Sequence, residues 1–399
     1  MHRDVATLMR HACLQEARLG LARFDAETLS NQAALSAIPA PTGAEALRAA
    51  SVGERMRGIG LAAVATDEAG NVTGWLGDRA KAPAVVVAAH LDTVFGPEVD
   101  VRVHRAGDRL SGPGISDNAR GLAGMLALGR VMATHRLDTL HPIAFVATVG
   151  EEGAGDLKGI KHLMLERRLD ARAVLVLDGA GDDRVVHAAL GSRRFRMTYA
   201  GPGGHSWAAF GAPNPAHAAG ALAEQIGRWP RGRTPRTACS VVGLSGGTAL
   251  NCIPEEARVE IDLRSEDPAA LAAAEREVLA RAREALVLEN GRRAPGTPTL
   301  NLSVEIIGDR PSGVTPENDP LVVASIEATR AIGREPSLVT ASTDANIPIS
   351  MGIPAITIGA GGRGGDPHRL TEWYENKDGA LGLYRALLIL GAAAGLPEE

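Results

Sequence analysis

Imidazole and carboxylate groups recur in this chain at the ends of apolar runs or in glycine-rich loops. His90 and Asp92 lie in the run 84–94, which opens with small and β-branched apolar residues. Asp117 sits in a Gly-Pro-Gly loop that starts at Gly112, and Glu151 and Glu152 follow a second apolar run at 141–149. Asp178 follows a third run at 174–177, and His368 follows a glycine-rich stretch near the end of the chain. Histidine and carboxylate ligands suit zinc, manganese or cobalt better than copper(I) or an iron–sulfur centre. So many acids in one place repel each other unless cations neutralise them. Two divalent ions against three ligating carboxylates leave one positive charge, which a bridging hydroxide cancels, giving the nucleophile of two-metal hydrolysis.

Residues so far apart in sequence need elements that gather them. A continuous apolar run fits a strand buried on both faces, as in a parallel sheet with helices on either side. Open α/β sheets place ligands at the carboxyl ends of such strands, so the three runs would deliver their polar residues to one edge. Residues two apart on extended chain face the same way, which lets Asp92 fix the tautomer of His90. Adjacent residues face opposite ways. Of Glu151 and Glu152, one can therefore ligate while the other takes the proton of the attacking water and passes it to the leaving amine.

An apolar stripe through Leu8, Cys13, Leu14, Leu21 and Leu29 predicts a helix over 5–35, with further helices at 44–58, 121–135, 319–333 and from Asp378. Short strands are expected at 62–66 and 72–76, and another apolar strand at 354–358. From about Ser192 the texture changes. Strands of alternating polarity near 193–199, 237–244, 257–264 and 300–307, with helices at 215–229 and 268–289, give the order βαββαβ. The fold expected is α/β, with a doubly wound, mainly parallel sheet in a catalytic domain. That domain would span 1–191 and 309–399, interrupted by an inserted α+β domain at 192–308.

Bulk properties narrow the function. A chain of 399 residues exceeds what one hydrophobic core usually holds. Apolar content of 45% and charged content of 22% are those of an ordinary globular protein. A net charge of −5 without any basic run argues against nucleic-acid or membrane-surface partners. Cys13, Cys239 and Cys252 are too widely spaced for a disulfide framework or a thiolate zinc site. The mixed-charge N-terminus is unlike a signal peptide and no apolar run is long enough to span a bilayer, so a cytoplasmic location is expected. The stretch 359–364 fits G-x-G-x-x-G, but Asp366, Pro367 and His368 follow where a dinucleotide site needs a helix to begin. It reads instead as a flexible rim that delivers His368, with 342–346 lining the same pocket.

Taken together, His90-x-Asp92, Asp117, Glu151-Glu152, Asp178 and His368 followed by Glu372 resemble a dinuclear-zinc exopeptidase and deacylase family. That family includes peptidase T, carboxypeptidase G, aminoacylase and succinyl-diaminopimelate desuccinylase. The likeness covers nearly the whole chain, the inserted domain included. It implies His90 and Asp178 on one divalent ion, Glu152 and His368 on the other, and Asp117 bridging them. Zinc is the metal implied, with manganese or cobalt as alternatives. Asp92 would orient His90, and Glu151 would be the general acid/base. The stretch 201–207 is similar to the family's lid motif, whose histidine helps stabilise the oxyanion, often from the neighbouring subunit of a dimer. His205 is thereby a catalytic candidate, and a homodimer through the inserted domain is implied. Asn251, at the end of a glycine-rich stretch, and Arg264 resemble positions that hold substrate. Arg264 would either pair a substrate carboxylate or remain an exposed strand charge. Thr343 and Asp344 complete the substrate-binding candidates.

Two positions depart from many relatives. Asp117-Asn118-Ala119-Arg120 lacks the lysine that often follows the bridging aspartate, and Asp178 stands where deacylase and carboxypeptidase members usually carry glutamate. Asp178 together with Thr343-Asp344 resembles the aminopeptidase side of the family. The function expected is a metal-dependent exopeptidase acting on di- or tripeptides, with a two-metal activated water and Glu151 as general base. An N-acyl amino acid deacylase or related amidohydrolase is the alternative. A non-catalytic binding module on the same fold is a third reading, which the filled ligand positions oppose.

Overall fold

The strand Ala84–His90 is buried along its whole length. Its alternate side chains enter two different cores. Val85, Val87 and Ala89 pack with Leu122, Met125 and Leu387, whereas Val86 and Ala88 pack with Ile160, Leu163 and Ile347. Helices thus cover both faces of the sheet, which is why the strand reads as unbroken apolar sequence. The computed structural model describes residues 4–81 and 83–397. The expected catalytic-domain segments also include residues 1–3, 82, 398 and 399, which lie outside the described residues.

The chain forms two compact units, one of Met1–Ala189 with Val314–Glu399, the other Leu190–Gly313. In the first, the strands Ile143–Thr148, Ala84–His90, Ala171–Leu177 and Ala355–Ile358 lie side by side and run parallel. Antiparallel strands flank them: Val72–Leu76 and Ala62–Thr66 on one side, Arg184–Ala189 on the other. The expected mainly parallel, doubly wound sheet is present, with antiparallel margins. Arg184–Ala189, and Ser337–Ala341 which pairs with it in parallel, are strands that the apolar pattern does not predict.

The long first helix is a correction. Residues 5–35 form three helices, Val5–Leu8, Ala12–Arg23 and Asp25–Ser36, with breaks at His11, where ψ is 123°, and at Phe24, where ψ is 7°. Leu8, Leu14, Leu21 and Leu29 are still buried. The apolar stripe persists across the breaks because each short helix turns its own leucines inward, so periodicity alone gave no sign of them.

The second unit has a four-stranded antiparallel sheet in the order Thr237–Gly246, Glu256–Ser265, Gly191–Ala200, Asn301–Arg310. Two helices, Pro215–Gly227 and Pro268–Arg292, pack on one face over Phe195, Met197, Tyr199, Val259 and Ile261. Each such side chain contributes about 1.5–3 kcal/mol on burial. The alternate residues form ion pairs on the other face, Arg196 with Glu260 at 2.9 Å and Arg194 with Asp262 at 3.3 Å.

Candidate active site

Strand register brings the candidate ligands together. His90 is paired with Thr148, the last residue of its strand, and the Asp178 N–H donates to Ile358 O at 3.0 Å. His90, Glu151-Glu152 and Asp178 therefore leave adjoining strands, which stand about 4.8 Å apart. Asp117 comes from the loop ahead of the helix Ala119–Thr134, whose N-cap is Asn118. The partial positive charge of a helix N-terminus favours a carboxylate there. His368 follows the short strand Arg363–Gly365 and has a φ of 63°, a left-handed conformation unusual outside glycine.

His90 Nδ1 lies 3.0 Å from the main-chain oxygen of Asp92. A carbonyl oxygen only accepts, so neutral His90 carries its proton on Nδ1 and presents Nε2 as a ligand atom. That Nε2 faces Asp117 Oδ1 at 3.0 Å and Asp178 Oδ1 at 3.8 Å. His368 Nε2 faces the other Asp117 oxygen, Oδ2, at 3.1 Å and Glu152 Oε1 at 2.9 Å. One carboxylate is thus shared between two imidazoles, an oxygen to each.

The electrostatics follow from that sharing. Burial opposes protonation of His90, but Asp117, Asp178 and Asp92 outweigh it and hold its pKa well above the usual value. Asp117 and Glu152 raise His368 to about 10. Burial works against ionisation of Asp117, yet His368 and His90 hold its pKa far below the ordinary carboxylate range. Such a set binds protons or cations avidly. His90, Asp117 and Glu152 each offer a ligand atom within 4.8 Å of the others. Imidazole nitrogen with carboxylate oxygen at this spacing fits a divalent cation.

Glu151 and Glu152 are both buried, and their loop is held from behind. Asp92 accepts the Glu151 N–H on Oδ1 and the Glu152 N–H on Oδ2, each at 2.9 Å. Thr42 Oγ1 donates to Oδ2 at 2.9 Å. Glu45 Oε1 accepts the Gly150 N–H at 3.2 Å. Behind Asp92 lies Arg48, fully buried, which donates to the main-chain oxygens of Leu91, Ile38 and Ser36. The Asp92 side chain is 3.5 Å from His90 Nδ1, farther than its own main-chain oxygen. Asp92 therefore faces His90 mainly through its backbone and grips the acidic loop with its carboxylate.

A model of peptidase family M20/M25/M40 matches residues 86–389. The chain belongs to that family. It is a metal-dependent hydrolase of amide bonds. Succinyl-diaminopimelate desuccinylase of Corynebacterium glutamicum is 27% identical over 333 residues, 81% of this chain and 85% of that protein. Among solved structures, a tripeptidase of Staphylococcus aureus shares the fold with a TM-score of 0.74 at 23% identity, covering 92% of this chain and 98% of that one. A Bacillus subtilis protein described as a dinuclear metal binding peptidase from the M20 family aligns with a TM-score of 0.65 at 15% identity, covering 94% and 99%.

The other candidates of this M20 hydrolase are placed differently. His205 and Asn251 lie exposed in the second unit, where Gly204–His205 pairs with Cys252–Ile253 and Ser206 N–H donates to Asn251 O at 2.8 Å. His205 lines a cavity of about 790 Å³ within that unit, with Thr248, Cys252, Glu255 and Arg258. Arg264 Nε donates to Asp262 Oδ2 at 2.7 Å, so its charge already has a partner. Thr343 and Asp344 are 5% and 1% exposed. Thr343 Oγ1 meets Thr357 Oγ1, and Asp344 Oδ2 accepts from Thr148 Oγ1. They brace the strand ends, and the Asp344 carboxylate lies close enough to His90, Asp92 and Asp178 to feel their charges. The glycine-rich stretch leads to a short strand, Arg363–Gly365, not a helix. A Cβ on Gly361 or Gly382 would come within 2.5 Å and 2.3 Å of backbone atoms in the final helix and the glycine loop respectively. The glycines let those two segments touch.

Arg48 and Asn118 have no role in the sequence reading, and Glu372 appears there only as part of a motif. An asparagine ahead of a small-residue helix is a capping signal for Asn118. Nothing in the sequence marks Arg48, whose partners are main-chain oxygens.

Proposed function

We propose that this M20 hydrolase is an exopeptidase of di- or tripeptides, aminopeptidase-like, that works with two divalent ions. The carrying observation is the Asp117 carboxylate, with Oδ1 toward His90 Nε2 and Oδ2 toward His368 Nε2. In this reading His90 and Asp178 hold one ion, Glu152 and His368 the other, and Asp117 bridges. Zinc fits the donor set, as do manganese and cobalt. Ions bound there would polarise the scissile carbonyl and lower the pKa of the attacking water. Glu151, buried and oriented by the Asp92 grip on its N–H, takes the proton on its carboxylate and delivers it to the leaving amine. His205 is proposed as the oxyanion donor. A homodimer through the inserted unit is supported by the edge strand Thr237–Gly246, which leaves Val242 and Leu244 in solvent.

Glu151→Gln tests the chemistry. Turnover of a short-peptide panel should fall by about four orders of magnitude, at the upper end for a general base, while ion content is unchanged. Near-normal turnover in the variant would refute the assignment. A second reading, an N-acyl amino acid deacylase, is favoured by the likeness to the desuccinylase. Cleavage of N-acyl amino acids with none of free peptides would decide for it.

A further inference from the structure

Glu372 is fully buried four residues after His368, yet no metal-binding or proton-transfer role is attached to it. Its carboxylate is surrounded by main-chain N–H groups of another loop. Oε1 accepts from Ser116 and Asp117, each at 2.8 Å, and Oε2 accepts from Gly114 at 3.0 Å. Its main-chain oxygen accepts the Gly112 N–H at 3.0 Å. The residue after it begins the strand Trp373–Glu375, which pairs with Arg109–Ser111, the strand that leads into the same loop. These four hydrogen bonds run between the segment bearing His368 and the segment bearing Asp117.

The side chain suits the task in a way its near neighbours do not. Glutamine offers one acceptor oxygen, and its amide would set N–H against the N–H of Gly114. Only a carboxylate satisfies all three donors. A second acid beside Asp117 is electrostatically unfavourable, so stability alone does not explain its presence. From the other side, Asn118 Oδ1 accepts from Gly179 N at 3.1 Å, and Asn118 Nδ2 donates to Leu177 O at 2.9 Å. The Asp117 main chain is thus clamped to both neighbouring ligand-bearing segments.

We propose that Glu372 is a positioning residue for the ion pair, setting the Asp117 carboxylate relative to the His368 imidazole through the main chain of residues 114–117. The inference rests on the two-ion reading above. Outer groups of this kind change metal affinity by about 10–100-fold when removed.

The test uses the full-length wild type, Glu372→Gln, Glu372→Ala and Glu289→Gln. Glu289 is a buried carboxylate of the second unit that accepts the Asn214 N–H at 2.8 Å. Each protein is stripped with chelator and titrated with Co²⁺, reading ion number, Kd and visible absorption, followed by kcat and KM. Kd should rise about 10-fold for Glu372→Gln and about 100-fold for Glu372→Ala. The cobalt spectrum should change, and kcat should fall with little change in KM. Glu289→Gln should lower Tm and leave the cobalt spectrum as in wild type. If Glu372→Ala does not fold, Glu372→Gln decides. Wild-type affinity and spectrum in the Glu372 variants would overturn the proposal while leaving the two-ion reading intact. A wild type that takes up no Co²⁺ would overturn both.

Discussion

Replacing Asp92 by asparagine separates two ways in which this residue could serve the site. The variant keeps shape and volume but has one acceptor oxygen in place of two. If that oxygen takes the Oδ2 position, the bonds from Thr42 and the Glu152 N–H survive, and the new amide opposes the Glu151 N–H. Losing a charge-assisted bond and stranding a buried donor costs about 2–3 kcal/mol. Arg48 also loses the acid whose charge supports it most. Burial already lowers the Arg48 pKa to about 10, with Asp92 and Glu45 acting against the fall. A total near 3 kcal/mol corresponds to roughly 4–5 °C in Tm for a chain of this size. The contact of His90 Nδ1 with the main-chain oxygen of Asp92 is untouched. Cobalt affinity should therefore stay within about threefold of wild type, well short of the loss seen when an orienting group is removed. Turnover should fall about 100-fold, because Glu151 is displaced on the ångström scale. Differential scanning fluorimetry, cobalt titration and steady-state kinetics on one preparation read all three. A variant whose cobalt affinity falls in step with turnover would show that the carboxylate acts through His90, and the loop-holding reasoning would be wrong.

In chelator, the Tm should fall as pH rises from about 5 to about 10. The folded pKa of His368, about 10, lies above its ordinary 6.5. Its pairing with Asp117 and Glu152 is therefore fully stabilising below 6.5 and is lost as pH climbs through 10. Burial raises Glu372 to about 7 and Asp344 to about 6, and carboxyls raised in the folded state also lose stability as pH rises toward those values. Divalent ions should suppress the trend, and a flat or rising chelator profile would contradict it. Gly382→Ala places a Cβ 2.3 Å from Gly361 Cα and should cost about 1–3 kcal/mol by urea unfolding. Gly220→Ala meets nothing within 4 Å in the helix Pro215–Gly227 and should be neutral or stabilising.

The parallel core was legible because strands buried on both faces must be apolar throughout, as at Ala84–His90 and Ile143–Thr148. The inserted sheet was legible because one of its faces is wet, which forces alternation, as at Glu256–Ser265. The breaks at His11 and Phe24 carry no glycine or proline and left no trace in the sequence. Arg184–Ala189 and Ser337–Ala341 were hidden because they lie at the margin of the sheet and are only partly buried. In the candidate site, histidines and acids at strand ends were visible as residue types. Their supports were not. Apart from the capping signal at Asn118, Asp92 and Glu372 act on main-chain N–H groups, which every residue has and no sequence pattern marks.

The order in which the chain is made gives the discontinuous first unit a further meaning. A ribosome produces His90, Asp117, Glu152 and Asp178, then all of Leu190–Gly313, and only afterwards His368 and Glu372. Until those last residues arrive, one imidazole faces a crowd of acids, and the Asp117 loop has no carboxylate to hold its N–H groups. The contacts of His368 and Glu372 with the Asp117 loop thus form only after the whole insertion has been made, and a chain stopped within the insertion has neither the second imidazole nor the clamp.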